Sequence, residues 1–113
     1  NRLLTSIVLE PDQRREVARE LCSHMATAKG PTTFLLPKGG CHEWDRPGAD
    51  LNDPEGLAAF CDEMEKACPD NVELKALDCH INDAAFCETA LAIFDGWVDA
   101  GTVKKAGPVN GPA

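Results

Sequence analysis

Two short apolar runs joined by a single amphipathic segment constrain this chain most. Thr32-Thr33-Phe34-Leu35-Leu36 is an almost uninterrupted β-branched and apolar stretch closed by Pro37, the pattern of a strand buried on both faces. Val72-Glu73-Leu74-Lys75-Ala76-Leu77 alternates apolar and polar, as a half-exposed strand does. Between them Asp53-Pro54 opens a helix as N-cap and first-turn proline. Leu57, Phe60, Cys61, Met64 and Cys68 share one stripe of that helix, and Pro69-Asp70-Asn71 stops it. A strand-helix-strand crossover of this kind is right-handed almost without exception and leaves its two strands parallel.

Two further helices flank this unit. The first opens at Pro11, with Asp12 and Glu16 near its positive end, carries Val17, Ala18, Leu21, Cys22, Met25 and Ala28 at helical spacing, and ends at Gly30-Pro31. The last is capped by Asp83 and carries Phe86, Cys87, Ala90, Leu91, Phe94, Trp97 and Val98 up to Gly101. The predicted fold is therefore α/β, a Rossmann-like three-layer unit of parallel strands flanked by helices over residues 1–101, followed by a flexible Gly/Pro-rich tail over 102–113. Two parallel strands cannot cover both faces alone. The rest of the sheet is expected from a missing part of the chain, from a partner subunit, or from Leu3 to Leu9 as a third strand, so the chain reads as part of a larger two-domain protein.

With 113 residues the chain supports one domain. The net charge of -8, with scattered lysines and arginines, repels a phosphate backbone, and no window is apolar enough to span a bilayer. Nucleic acid and membrane are thus not expected as partners. No secretory leader is visible, which points to a cytoplasmic, reducing setting. Of the six cysteines, Cys22, Cys61, Cys68 and Cys87 fall on the apolar stripes of helices and are expected as buried thiols rather than disulfides; Cys41 and Cys79 lie in loops.

Ligand crevices of open parallel sheets lie beyond the carboxyl ends of the strands, which brings the stretch from Lys38 to Asn52 and the stretch from Asp78 to Asp83 to one edge. His42, His80, Asp45, Asp78, Asn82, Asp83 and Lys38 converge there. Gly39-Gly40 could let backbone N–H groups approach an anion, with Lys38 as countercharge, or could simply make a tight turn. His80 beside Asp78 and Asp83 could be a general base, with Cys41 as nucleophile of an acyl transfer. Alternatively Asp83 caps the last helix, Asn82 makes an Asx turn and His80 is a hydrogen-bonded structural histidine. Trp44 either lids a pocket or closes the loop against the core. Cys41-His42 and Cys79-His80 offer a zinc-like donor set, but adjacent donors rarely reach one ion, and no metal is expected.

Gly30-Pro31, Leu36-Pro37-Lys38-Gly39, Asp45-Arg46-Pro47-Gly48, Asp53-Pro54-Glu55 and, most specifically, Asp78-Cys79-His80-Ile81-Asn82-Asp83 followed by Phe86 resemble the C-terminal motifs of one family, the ATP-binding domain family of the tomato mosaic virus resistance protein. The pattern departs at Ala84, where that family usually has proline, and at Cys41, near which it has serine in a shorter loop. The resemblance implies two α/β domains that pair into dimers, with ATP held mainly by glycine-rich segments of an N-terminal domain not present here. It implies that Lys38, Gly39, His80, Asn82 and Asp83 line the interdomain cleft.

Three functions follow as expectations. The first is a segment of a nucleotide-binding protein in which Lys38, Gly39, Gly40, His42, His80, Asn82 and Asp83 meet ATP or another small anionic ligand. The second is an enzyme acting on a small organic acid or acyl compound, with His80 as base and Asp45 or Asp78 as its orienting carboxylate. The third is a homo-oligomerisation module whose loops and strand edge pair with another subunit.

Overall fold

A computed structural model describes residues 8–103. The first helix, α1, spans Pro11–Met25, and its entry is fixed twice over. Pro11 supplies the helical φ at a position that needs no N–H, and Glu10 and Gln13 form a reciprocal capping box in which the Glu10 backbone N–H donates to Gln13 Oε1 at 2.9 Å. The second helix, α2, spans Pro54–Ala67 and starts at Asp53, whose carboxylate accepts the Gly56 N–H at 3.0 Å. The two strands, β1 at Thr32–Pro37 and β2 at Val72–Leu77, pair in parallel with Thr32 opposite Val72 and Pro37 opposite Leu77. Sequence and structure thus agree on a small α/β unit with a parallel pair of strands.

Alternation along the strands sorts their side chains onto two unlike faces. Phe34, Leu36 and Leu74 face α1 and α2, where Ala18, Cys22, Leu36, Cys61 and Met64 form the buried core. Burying a side chain the size of Leu36 or Met64 stabilises by about 1.5–3 kcal/mol each. The Arg14–Asp53 ion pair at 3.3 Å fastens the start of α1 to the start of α2. At the other end Asn71 Nδ2 donates to the Met25 carbonyl oxygen at 3.0 Å, tying the turn before β2 to the end of α1.

The opposite face carries Thr33, Leu35, Glu73, Lys75 and Leu77, and the third helix, α3 at Ala84–Asp99, lies beside it across shallow clefts. α3 has no buried residue, and on its side away from the strands Leu91 is 55% exposed and Phe94 49% exposed. Two expectations are corrected here. β1 is buried only at Leu36 and Pro37, not along both faces, and Cys87 is exposed instead of packed in a core. Val8 and Leu9 lie in no strand; the remainder of the suggested third strand, residues 3–7, and tail residues 104–113 fall outside the described residues. No helix among the described residues is long and apolar enough to cross a membrane.

Candidate functional site

The loops that follow the two strands meet at one rim by prolonging the parallel ladder. The Lys38 N–H donates to the Leu77 carbonyl at 2.9 Å, Gly39 N–H to the Cys79 carbonyl at 2.8 Å, and Ile81 N–H to the Gly40 carbonyl at 3.0 Å. Approach this close requires glycine. A Cβ on Gly39 would lie 2.6 Å from the Cys79 carbonyl carbon, and one on Gly40, whose φ is +133°, would lie 2.6 Å from His80 Cδ2.

The expected anion cradle is differently employed. Gly40 N–H donates to the Pro37 carbonyl at 3.1 Å, so both glycine amides have acceptors within the protein. Lys38 Nζ pairs with Glu65 Oε1 of α2 at 3.1 Å, and this partner raises its pKa above the ordinary lysine value. The glycines serve loop-to-loop packing, and the lysine charge is already answered.

His80 is 3% exposed and joins the two loops. Its Nδ1 accepts the Asn82 N–H at 3.0 Å, which leaves the proton on Nε2, 2.7 Å from the His42 carbonyl oxygen. As placed, neither ring nitrogen is free to take a proton from a substrate. Asp45 and Asp78 do not orient this ring: Asp45, 2% exposed, accepts the Asp53 N–H at 2.9 Å on Oδ1, and Asp78 is exposed on the rim. Asp45 lies in a single 3-10 turn, Glu43–Asp45, and its carbonyl oxygen accepts Asn52 Nδ2 at 2.9 Å, so it closes the long loop on itself.

Asp83 occupies the N-cap position of α3, but its side chain makes no cap. Oδ2 accepts the His80 N–H at 2.9 Å and Oδ1 accepts Arg46 Nη1 at 3.2 Å. Asn82 Nδ2 reaches Glu43 Oε2 at 2.9 Å, and Arg46 Nε donates to Glu43 Oε1 at 2.8 Å. Hydrogen bonding from the His80 amide, followed by Arg46, lowers the Asp83 pKa, and hydrogen bonding from Asn82 and Arg46 lowers that of Glu43. Glu43 and Arg46 were not among the expected site residues. Their spacing on one tight turn is a local sign of an ion pair, whereas the Arg46–Asp83 contact spans a distance in sequence that no pattern shows.

His42 and Trp44 face outward from the rim, as Asp78 does. Their rings meet edge-on with centroids 6.3 Å apart, and Trp44 is 50% exposed, so it is neither a lid nor core packing in this state. Behind His42 a cavity of about 260 Å³ opens between α1 and α2, lined by Val17, Cys41, Leu57 and Phe60 among others. All six cysteines are free thiols. Burial pushes Cys61 up to about 11 and raises Cys41 as well, where Asp45 adds to the effect, so Cys41 lacks the depressed pKa of an activated nucleophile.

The profile described as the C-terminal domain of uncharacterised protein family UPF0261 matches residues 1–98. A UPF0261 protein of Brucella melitensis is 47% identical over 105 residues, which cover 93% of this chain and 25% of that protein. A Brucella suis UPF0261 protein is 46% identical over the same shares. The ToMV resistance protein Tm-1 of Solanum lycopersicum is 27% identical over 84 residues, 73% of this chain and 11% of that protein. The chain therefore spans about a quarter of the length of its Brucella relatives, and with residues 1–98 matched it belongs to the UPF0261 C-terminal domain family.

Proposed function

We propose that this chain supplies one wall of a nucleotide-binding cleft in the longer protein, and that its share of recognition is the planar base rather than the phosphates. The observation that carries this reading is Trp44, half-exposed beside His42 on a loop held by buried Asp45 and His80. An aromatic ring on a pinned loop offers a preorganised stacking surface at little entropic cost on binding. The cavity behind His42, lined by Leu57 and Phe60 together with Arg14 and Asp45, lies beside that loop. The nucleotide class itself comes from the resemblance of the rim motifs to ATP-binding domains.

Phosphate recognition falls to the rest of the polypeptide, because the Gly39 and Gly40 amides and the Lys38 ammonium are already engaged. His80, Asn82 and Asp83 act in this scheme by fixing the rim, not by touching the reacting atoms. Six free thiols favour a reducing, cytoplasmic setting. The test is thermal denaturation of the full-length protein with and without ATP. A rise in Tm that grows with ATP concentration is expected, as binding to the folded state requires. No shift at millimolar ATP would remove the proposal.

A further inference from the structure

We propose that the outward face of α3 is a docking surface for another part of the same polypeptide in the longer protein, a segment whose apolar face is flanked by Lys or Arg. This inference is independent of the nucleotide reading. Cys87, Leu91, Phe94 and Val98 follow one another at intervals of four, three and four residues, which aligns them in one stripe along the helix. The residues bordering the sheet, Ala85, Thr89, Ala92, Ile93 and Trp97, lie on the other side of the helix, and Glu88 stands at the boundary between the two, where it also edges the cleft that holds Lys75. The stripe therefore points away from the fold, and Cys87, Leu91 and Phe94 are exposed along it.

The charge beside the stripe is of one sign. Glu88, Asp95 and Asp99 are exposed along its flank, and Ala84–Asp99 contains no Lys, Arg or His. Asp95 and Asp99 sit at the end where the helix dipole disfavours negative charge, with no base in the last turn to offset them. A cationic flank on the partner would offset all three. A second copy of α3 could not supply it. An antiparallel pair centred between Leu91 and Phe94 would set Glu88 of one copy near Asp95 of the other, and a parallel pair would turn these acids towards the opposite flank, where Ala90 and Trp97 carry no positive charge. The source is assigned to the same polypeptide because the chain spans about a quarter of its Brucella relatives, leaving most of the molecule available to cover this face.

Cys87 on the stripe reports directly on its cover. In the full-length protein its alkylation by iodoacetamide, followed on its own peptide by mass spectrometry, should run at least about tenfold slower than in denaturant. The protection should not change on dilution to a monomer. Combined Glu88→Lys, Asp95→Lys and Asp99→Lys should return the rate towards the denatured value while far-UV circular dichroism is retained. If that variant does not fold, Asp95→Lys alone should raise the rate several-fold and Asp95→Asn less. A rate in the native protein equal to that in denaturant would overturn the proposal. So would protection lost on dilution, which indicates a second copy, or lost on purification from the lysate, which indicates a separate protein. Protection indifferent to both the triple and the single charge reversal would overturn the basic character of the partner.

Discussion

His80 Nε2 stands 2.7 Å from the carbonyl oxygen of His42, so a single buried imidazole fastens the loop after β2 to the loop after β1. Its other nitrogen accepts the Asn82 N–H, and the backbone amide of His80 itself is held by Asp83. Three polar links through one residue explain how a long loop without regular structure keeps one shape beside a two-stranded sheet.

His80→Ala should therefore lower stability by about 2–4 kcal/mol, since it opens a cavity at a buried position and removes the ring's hydrogen bonds to the His42 carbonyl and the Asn82 N–H. Urea denaturation of the full-length protein checks this through the midpoint at unchanged slope. A loss under about 0.5 kcal/mol, the size expected of an ordinary surface change, would show that the rim does not depend on this ring.

Gly39 and Gly48 make a matched comparison of two glycine roles. Gly39→Ala must push the Cys79 backbone aside and should cost about 2–3 kcal/mol. Gly48 has φ of +82° with open space around its Cα, so Gly48→Ala should cost about 1 kcal/mol from backbone strain alone. Equal costs in denaturation would contradict the close approach of the two loops.

Acid should loosen the same rim. Glu43 and Asp83 have pKa values lowered in the folded protein, so each contributes stability that is present above its unfolded value, 4.5 and 3.8 respectively, and is lost as pH falls through the lower folded value. Tm measured from neutral pH downward should begin to fall near pH 4.5 on account of this pair. In Glu43→Gln combined with Asp83→Asn that limb should be shallower, with a lower Tm at neutral pH; an unchanged slope would mean that neither carboxylate is linked to folding.

Much of this architecture is legible in the residues. Pro11, Asp53-Pro54 and the stripe through Leu57, Cys61 and Met64 announce helices because capping and periodicity are local physics, and a helix between two strand-like runs dictates parallel pairing. The α3 stripe is equally legible as a helix but not as an exposed one, because burial depends on what covers a helix face, and this stripe lies on the side of α3 turned away from the strands. At the rim the sequence brings Lys38, Gly39 and His80 to one edge. It does not show that Glu65 on α2 takes the lysine, or that Cys79 takes the glycine amide, since both are contacts between distant segments.

Trp44 offers the sharpest separation between binding and stability. Half of its surface is already in water and its ring meets His42 only by an edge, so Trp44→Ala should leave Tm within a few degrees of the parent. If the ring stacks on a base, the same substitution should weaken ATP binding by about 0.5–1.5 kcal/mol, up to roughly tenfold in Kd, while Trp44→Phe keeps most of the affinity. Calorimetric titration of the full-length protein measures this. ATP binding should also quench Trp44 emission, and comparison with Trp44→Phe separates that signal from Trp97, which lies on α3. Unchanged affinity in Trp44→Ala, in a protein that binds ATP, would place the base elsewhere and leave this rim with a purely structural task.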